Sequence, residues 1–187
     1  KPPADRIRNL IGRSLMQMMQ QLAPSAGMGK HEELVETYAA HYLNPNNRHM
    51  RLFPDVPPTL ERLREAGYWL SVATGKGRSG LNQAIAQTGT GDFWLATACA
   101  SECPSKPAPD MVWRLCDELG VMPSESIVIG DTAFDLEMAA HAGARGIGVT
   151  TGAHSRETLQ SAPNIGILSC FGELEGFLQR QGSIEAV

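Results

Sequence analysis

The chain has 187 residues, 42% hydrophobic and 19% charged, enough for one domain of ordinary size with a small appended subdomain, which excludes disorder as its organising state. Sixteen Lys and Arg stand against twenty Asp and Glu, a formal charge of -4, and the cations are scattered, so neither nucleic acid nor a membrane surface is an expected partner. Four cysteines, Cys99, Cys103, Cys116 and Cys170, are too few for a disulfide scaffold and read as reduced thiols of a cytoplasmic protein. Cys99 and Cys103 lack a second Cys/His pair at metal spacing, and no apolar run reaches the roughly 18 residues of a membrane span.

In chain order, Ile7, Leu10, Ile11, Leu15, Met18, Met19 and Leu22 predict one amphipathic helix over 5–22, with Asp5 placed as its cap. Pro24 to Gly29 reads as a loop, and Leu34, Val35, Tyr38, Ala39 and Tyr42 predict a second helix over 31–43. The methionines of this part (Met16, Met18, Met19, Met28) read as core rather than as an adaptable surface. A polar stretch from Asn44 to Met50 closes it.

After Phe53-Pro54 the pattern changes. A helix over 58–66 leads to the apolar strand YWLSVAT (68–74). A helix near 78–87 precedes the strand FWLATA (93–98), and a Pro-rich loop precedes a helix over 109–119. There follow the strand SIVIGD (126–131), a helix over 133–142, the strand RGIGVT, a short helix opened by Ser155, the strand NIGILS and a last helix over 171–180. This alternation predicts an α/β, Rossmann-like fold: parallel strands with helices on both faces, plus a small helical cap.

In such a sheet, ligands sit beyond the carboxyl ends of the strands. Thr74 closes the first strand ahead of Gly75, Lys76 and Gly77, where a hydroxyl and exposed amides can meet an anionic oxygen cluster. The same stretch spells Gly75-x-Gly77-x-x-Gly80, a dinucleotide fingerprint, but the next strand runs into Ala98-Cys99-Ala100 without the acid that would hold a ribose. Lys106 stands in SKPAPD, its backbone fixed by prolines, where a point cation can neutralise a carboxylate or a phosphoryl oxygen. Asp131 and Asp135 lie one helical turn apart in GDTAFD; hard oxygen ligands of this kind suit Mg²⁺, and a helix cap with a dipole-favoured acid is the competing account. Hydroxyl, cation and acids at the tips of different strands together describe a phosphate site.

SVATG, SKPAPD and GDTAFD, with IRNLIGRSL and LFPDVPPTLERLREAG before them, resemble the haloacid dehalogenase superfamily, in its phosphoglycolate-phosphatase-like branch with a helical cap. The resemblance implies Mg²⁺-dependent hydrolysis of a small phosphorylated metabolite through an aspartyl-phosphate. It implies Thr74 and Gly75 as binders of the phosphoryl group and Lys106 as its charge partner. Asp131 becomes a metal ligand, and Asp135 a support for the metal or for Lys106. Residues 1–53 become the cap and 54–187 the core. The family's first motif, Asp-x-Asp on a central strand, is absent from these residues; the expectation is a fragment without turnover of its own, or a slot filled by another segment, a swapped strand making a homodimer. A dinucleotide module and a non-catalytic binding protein are the alternatives. Arg13, Ser14 and Lys30 are cap positions that read more readily as solvated than as substrate contacts, and His154 reads as a loop residue rather than a catalyst.

Overall fold

The computed structural model describes residues 2–44 and 50–182; most of the polar stretch expected over 44–50 lies outside them. Three helices come first, α1 (Ala4–Arg8), α2 (Leu15–Leu22) and α3 (Met28–Leu43). The single helix expected over 5–22 is therefore two. Gly12 breaks it with φ +104, a left-handed backbone that disfavours a side chain, and Ser14 restarts it by accepting the Gln17 amide. Asp5 lies in the first turn of α1 but does not cap it; Pro3 holds that position without a side-chain bond. The α2–α3 turn is stitched by His31, which is buried with Nε2 at 2.9 Å from the Ala23 carbonyl oxygen. No residue of α2 is fully buried, and Met28 is 58% exposed, so these methionines are not core.

Next come α4 (Val56–Glu65), β1 (Ser71–Thr74), α5 (Arg78–Thr88), β2 (Ala96–Cys99), α6 (Asp110–Leu119), β3 (Ile127–Gly130) and α7 (Ala133–Ala142). The order ends with β4 (Arg145–Val149), α8 (Arg156–Gln160), β5 (Gly166–Leu168) and α9 (Leu174–Arg180). The strands are shorter than the apolar runs that predicted them: Tyr68 and Leu70 pack on the core ahead of β1, and a single 3-10 turn over Gly91–Phe93 takes up the start of FWLATA. The last helix begins with a similar turn at Phe171–Glu173. Ser155 caps α8 as expected, its side chain accepting the Thr158 amide.

All strand pairs are parallel, but they form two sheets, β1–β2 and β3–β4–β5. Alternation along the strands sends Ala73, Ala96, Ala98 and Val128 to one face, against Met111, Val112 and Leu115 of α6 and Met138 of α7. Ile127, Ile129, Ile147 and Val149 go to the other, against Leu63 of α4 and Leu174 and Leu178 of α9. Helices thus cover both faces, and the first of these clusters spans both sheets. Between β1 and β3 lies a cavity of about 1060 Å³ lined by every residue of both strands. Among the described residues no strand pairs with either facing edge, leaving two rows of backbone donors and acceptors open to one gap.

Candidate active site

Thr74, Lys106, Gly130, Asp131 and Asp135 all line this cavity, so the residues expected to converge do so at its carboxyl-end mouth. Lys106 is 6% exposed. Its Nζ donates to Asp135 Oδ1 at 2.6 Å and to the Ala73 carbonyl at 2.8 Å. Asp135, itself 5% exposed, turns its other oxygen to the N-terminus of α7, where Oδ2 accepts from Thr132 N at 3.1 Å and Thr132 Oγ1 at 2.6 Å. It is thus the N3 acid of a reciprocal cap with Thr132 and the counter-ion of Lys106 at once.

Asp131 is held differently. Its Oδ2 accepts the Ala153 amide at 2.8 Å, and its carbonyl accepts the His154 amide at 3.2 Å. Oδ1 has no hydrogen-bond partner among the described residues, which leaves one anionic oxygen at the cavity mouth. No cluster of three or more His, Cys, Asp or Glu stands within metal-holding reach among the described residues. The residue here that could hold a hard divalent cation is Asp131, through its open oxygen; a cation such as magnesium commonly takes one or two protein carboxylates and completes its shell with water or phosphate oxygens. His154 is buried: its Nδ1 accepts the Ala133 amide at 3.0 Å, satisfying an open donor of α7, and its ring meets Phe134 edge-on at 5.4 Å.

Thr74 Oγ1 accepts the Lys76 amide at 3.2 Å, which shapes the turn after β1. Against this turn sits the backbone of Gly12 and Arg13. A Cβ on Gly75 would lie 2.8 Å from the carbonyl oxygens of both Gly12 and Arg13, and one on Gly12 would lie 2.8 Å from Thr132 Oγ1. Ser14 N donates to Ser105 Oγ at 2.8 Å. The turn 12–14 thereby touches the loops after β1, after β3 and before Lys106. Arg13 lies 4.2 Å over the Phe134 ring with Nε fully buried, contrary to the solvated position expected of it. Lys30 is exposed and ion-paired with Glu33 at 2.8 Å, away from the site.

The haloacid dehalogenase-like hydrolase family model matches residues 1–149. The chain belongs to the haloacid dehalogenase-like hydrolases. Relatives in this superfamily include a phosphoglycolate phosphatase from Mannheimia succiniciproducens, 29% identical over 76% of this chain and 64% of that protein. Another is the pyrophosphatase PpaX of Bacillus velezensis, 29% identical over 71% of this chain and 62% of its own length. The chain thus spans under two thirds of the length of these two relatives. Among solved structures, a hydrolase from Pseudomonas syringae aligns with TM-score 0.86 at 22% identity, covering 96% of this chain and 84% of that one. A haloacid dehalogenase-like family hydrolase from Streptococcus pneumoniae aligns with TM-score 0.81 at 23% identity, covering 96% and 83%. These two likenesses are of fold. For the glycine fingerprint, the close approach of Gly75 to the Gly12 and Arg13 carbonyls supplies a reason unrelated to a dinucleotide.

In this haloacid dehalogenase-like core, an ion-pair chain that composition did not reveal steadies the loop leading to Lys106. Arg78, at the start of α5, grips Glu102 through Nε at 2.6 Å and Nη2 at 2.7 Å, and Arg114 reaches the same carboxylate at 3.0 Å. The bidentate hydrogen bonds from Arg78 hold the Glu102 carboxyl down to about 2 from its ordinary 4.5. Because the folded value is depressed, the contribution of this pair to stability is complete above about 4.5 and is lost as pH falls toward 2. A carbon-13 titration of the Glu102 carboxyl is expected to show its midpoint near 2, and Arg78→Met is expected to return it toward the ordinary range; a wild-type midpoint already in that range would contradict the geometry.

Proposed function

We propose that this protein is a magnesium-dependent phosphatase of small phosphorylated metabolites, phosphoglycolate-phosphatase-like, working in the cytoplasm, with residues 1–53 as cap and 54–187 as core. The observation that carries the reading is the joint placement of the Lys106–Asp135 pair, Thr74 and Asp131 at the mouth of the gap between β1 and β3. Phosphoryl transfer asks mainly for positioning and charge neutralisation. The Thr74 hydroxyl and the Gly75 amide orient the phosphoryl oxygens. Lys106, fixed by Asp135 and by the Ala73 carbonyl, offsets the charge gathered by phosphate and nucleophile. Asp131 is the residue of this chain that would hold a magnesium ion, which when bound would add positive charge beside the phosphate. The cap turn 12–14 excludes water from the rim.

The nucleophile in this reading is an aspartate at the end of a parallel strand that enters the gap, pairs with both facing edges and ends at the mouth. The first aspartate of an Asp-x-Asp motif there attacks phosphorus as the P–O ester bond breaks; the second gives its proton to the leaving oxygen, which departs as an alcohol, and then takes a proton from the water that cleaves the aspartyl-phosphate, releasing phosphate and the free aspartate. The four free cysteines agree with a reducing compartment.

The test is a screen of phosphate monoesters with the longest polypeptide that the gene encodes, with magnesium and with EDTA, beside the 187-residue chain alone. Hydrolysis that EDTA abolishes, and that the 187-residue chain lacks until the strand is supplied, is the expected result. Equal rates in EDTA, or no monoester turned over by the longest form, would sink the proposal.

A further inference from the structure

Asp131 lines the cavity mouth with one carboxylate oxygen taken and the other open, and the segment that makes this division is the loop after β4. Ala153 N donates to Oδ2 at 2.8 Å and His154 N to the Asp131 carbonyl at 3.2 Å, so two successive amides hold the side chain and the backbone of one residue. Just before these amides stands Gly152. A Cβ there would overlap Oδ2, Cγ and Cβ of Asp131, each well under 3.0 Å away. The last of these atoms is bonded to the backbone and cannot swing aside, so a side chain at 152 has to push the strand tip or the loop itself. Glycine at this place lets the loop lie directly against the carboxylate.

The loop is itself fastened at both ends. Thr150 N donates to the Leu168 carbonyl at 3.1 Å and Thr150 Oγ1 to the Ser169 carbonyl at 3.3 Å, which ties its start to the end of β5. Its far end is tied to α7 by the Ala133 amide on His154 Nδ1 at 3.0 Å and runs into the capped first turn of α8. A carboxylate gripped at one oxygen by such a loop has little freedom to turn its open oxygen away. Groups that hold a metal ligand from behind set how much ordering is left to be done when the cation binds.

Building on the phosphatase reading above, we propose that Gly152 and the Ala153 amide are positioning groups that present Asp131 to a divalent cation as a one-oxygen ligand, with Oδ1 open and Oδ2 kept by the loop. Neither group touches the cation; both act through the carboxylate. Asp135 has partners of its own in Thr132 and Lys106, so the loop acts on Asp131 and not on the Lys106–Asp135 pair.

The test is manganese binding to the longest encoded polypeptide, read from the loss of the free ion's paramagnetic resonance signal, with magnesium-activation curves for phosphate-monoester hydrolysis beside it. Gly152→Ala is expected to weaken manganese about tenfold or more, the scale for groups that orient a metal ligand. It is expected to raise the half-activating magnesium concentration in step, while kcat at saturating magnesium stays within about threefold. A general disturbance of the fold would lower kcat and leave the magnesium requirement where it was. Gly29→Ala, at a helix position with nothing within 4 Å of the added Cβ, is expected to change neither. The wild type supplies a second readout that does not depend on how the variant folds: hydrogen exchange at the Ala153 amide is expected to stay as slow with magnesium as without it, because Oδ2 keeps its donor. Unmoved manganese affinity in Gly152→Ala, a wild type that binds no manganese, or loss of Ala153 protection on adding magnesium overturns the proposal. EDTA-sensitive hydrolysis together with unmoved affinity overturns it and leaves the phosphatase reading standing. Manganese binding that Gly152→Ala weakens, without any hydrolysis, upholds it and counts against that reading instead.

Discussion

Replacing Lys106 by Met is expected to lower the unfolding free energy by about 3–5 kcal/mol, because it leaves the carboxylate of Asp135 buried without its counter-ion. Asp135 keeps its two bonds from Thr132, so α7 retains its cap. What is lost is the cation on Oδ1 and, with it, the donor to the Ala73 carbonyl. Urea unfolding at neutral pH followed by circular dichroism measures the loss directly. The double variant Lys106→Met, Asp135→Asn is expected to recover part of it, since the amide carries no charge; the difference between the cycle's arms isolates the pair from the packing of the lysine stem. A loss below about 1 kcal/mol for the single variant would place the pair among exposed ion pairs in energetic terms, contrary to its burial.

Asp131→Asn acts on chemistry rather than stability. Asparagine has the same shape and its carbonyl oxygen can still accept the Ala153 amide, so the thermal midpoint should stay within a few degrees. The remaining atom changes from a free anionic oxygen to a neutral donor, which repels a divalent cation. In the longest encoded form, magnesium-supported kcat/KM is expected to fall at least about 100-fold, the scale of several kcal/mol of lost charge stabilisation. Hydrolysis that survives the substitution unchanged would remove Asp131 from the metal's shell.

Most of this architecture was legible from pattern. GDTAFD announced a strand tip followed by a capped helix, and α7 runs over the very residues 133–142 that periodicity assigned. Local spacing also put two acids on one turn, but it could not divide their labour. That division depends on a lysine 29 residues away in the chain, a tertiary fact. Apolar spacing does not mark the break at Gly12, because the apolar residues keep helical phase across it; the signal present in the sequence is the Gly-x-Ser of Gly12–Ser14, a left-handed stop followed by a capping residue. His154 lies in a loop as expected, but its burial and that of the Arg13 Nε carry no local signal, because no periodicity marks a residue whose surroundings come from another part of the fold. His154 in particular caps α7 from 21 positions downstream, which no local capping pattern reports.

One consequence follows from where the Lys106 ammonium is moored. One of its bonds ends on Ala73, at the tip of the β1–β2 sheet, and the other on Asp135, which rises from the β3–β4–β5 sheet. The lysine is therefore a clasp across the seam between two half-sheets as well as the charge at the rim. Any excursion that spreads the seam would withdraw the ammonium from one of its two moorings, so the separation of the half-sheets and the position of this charge are mechanically coupled.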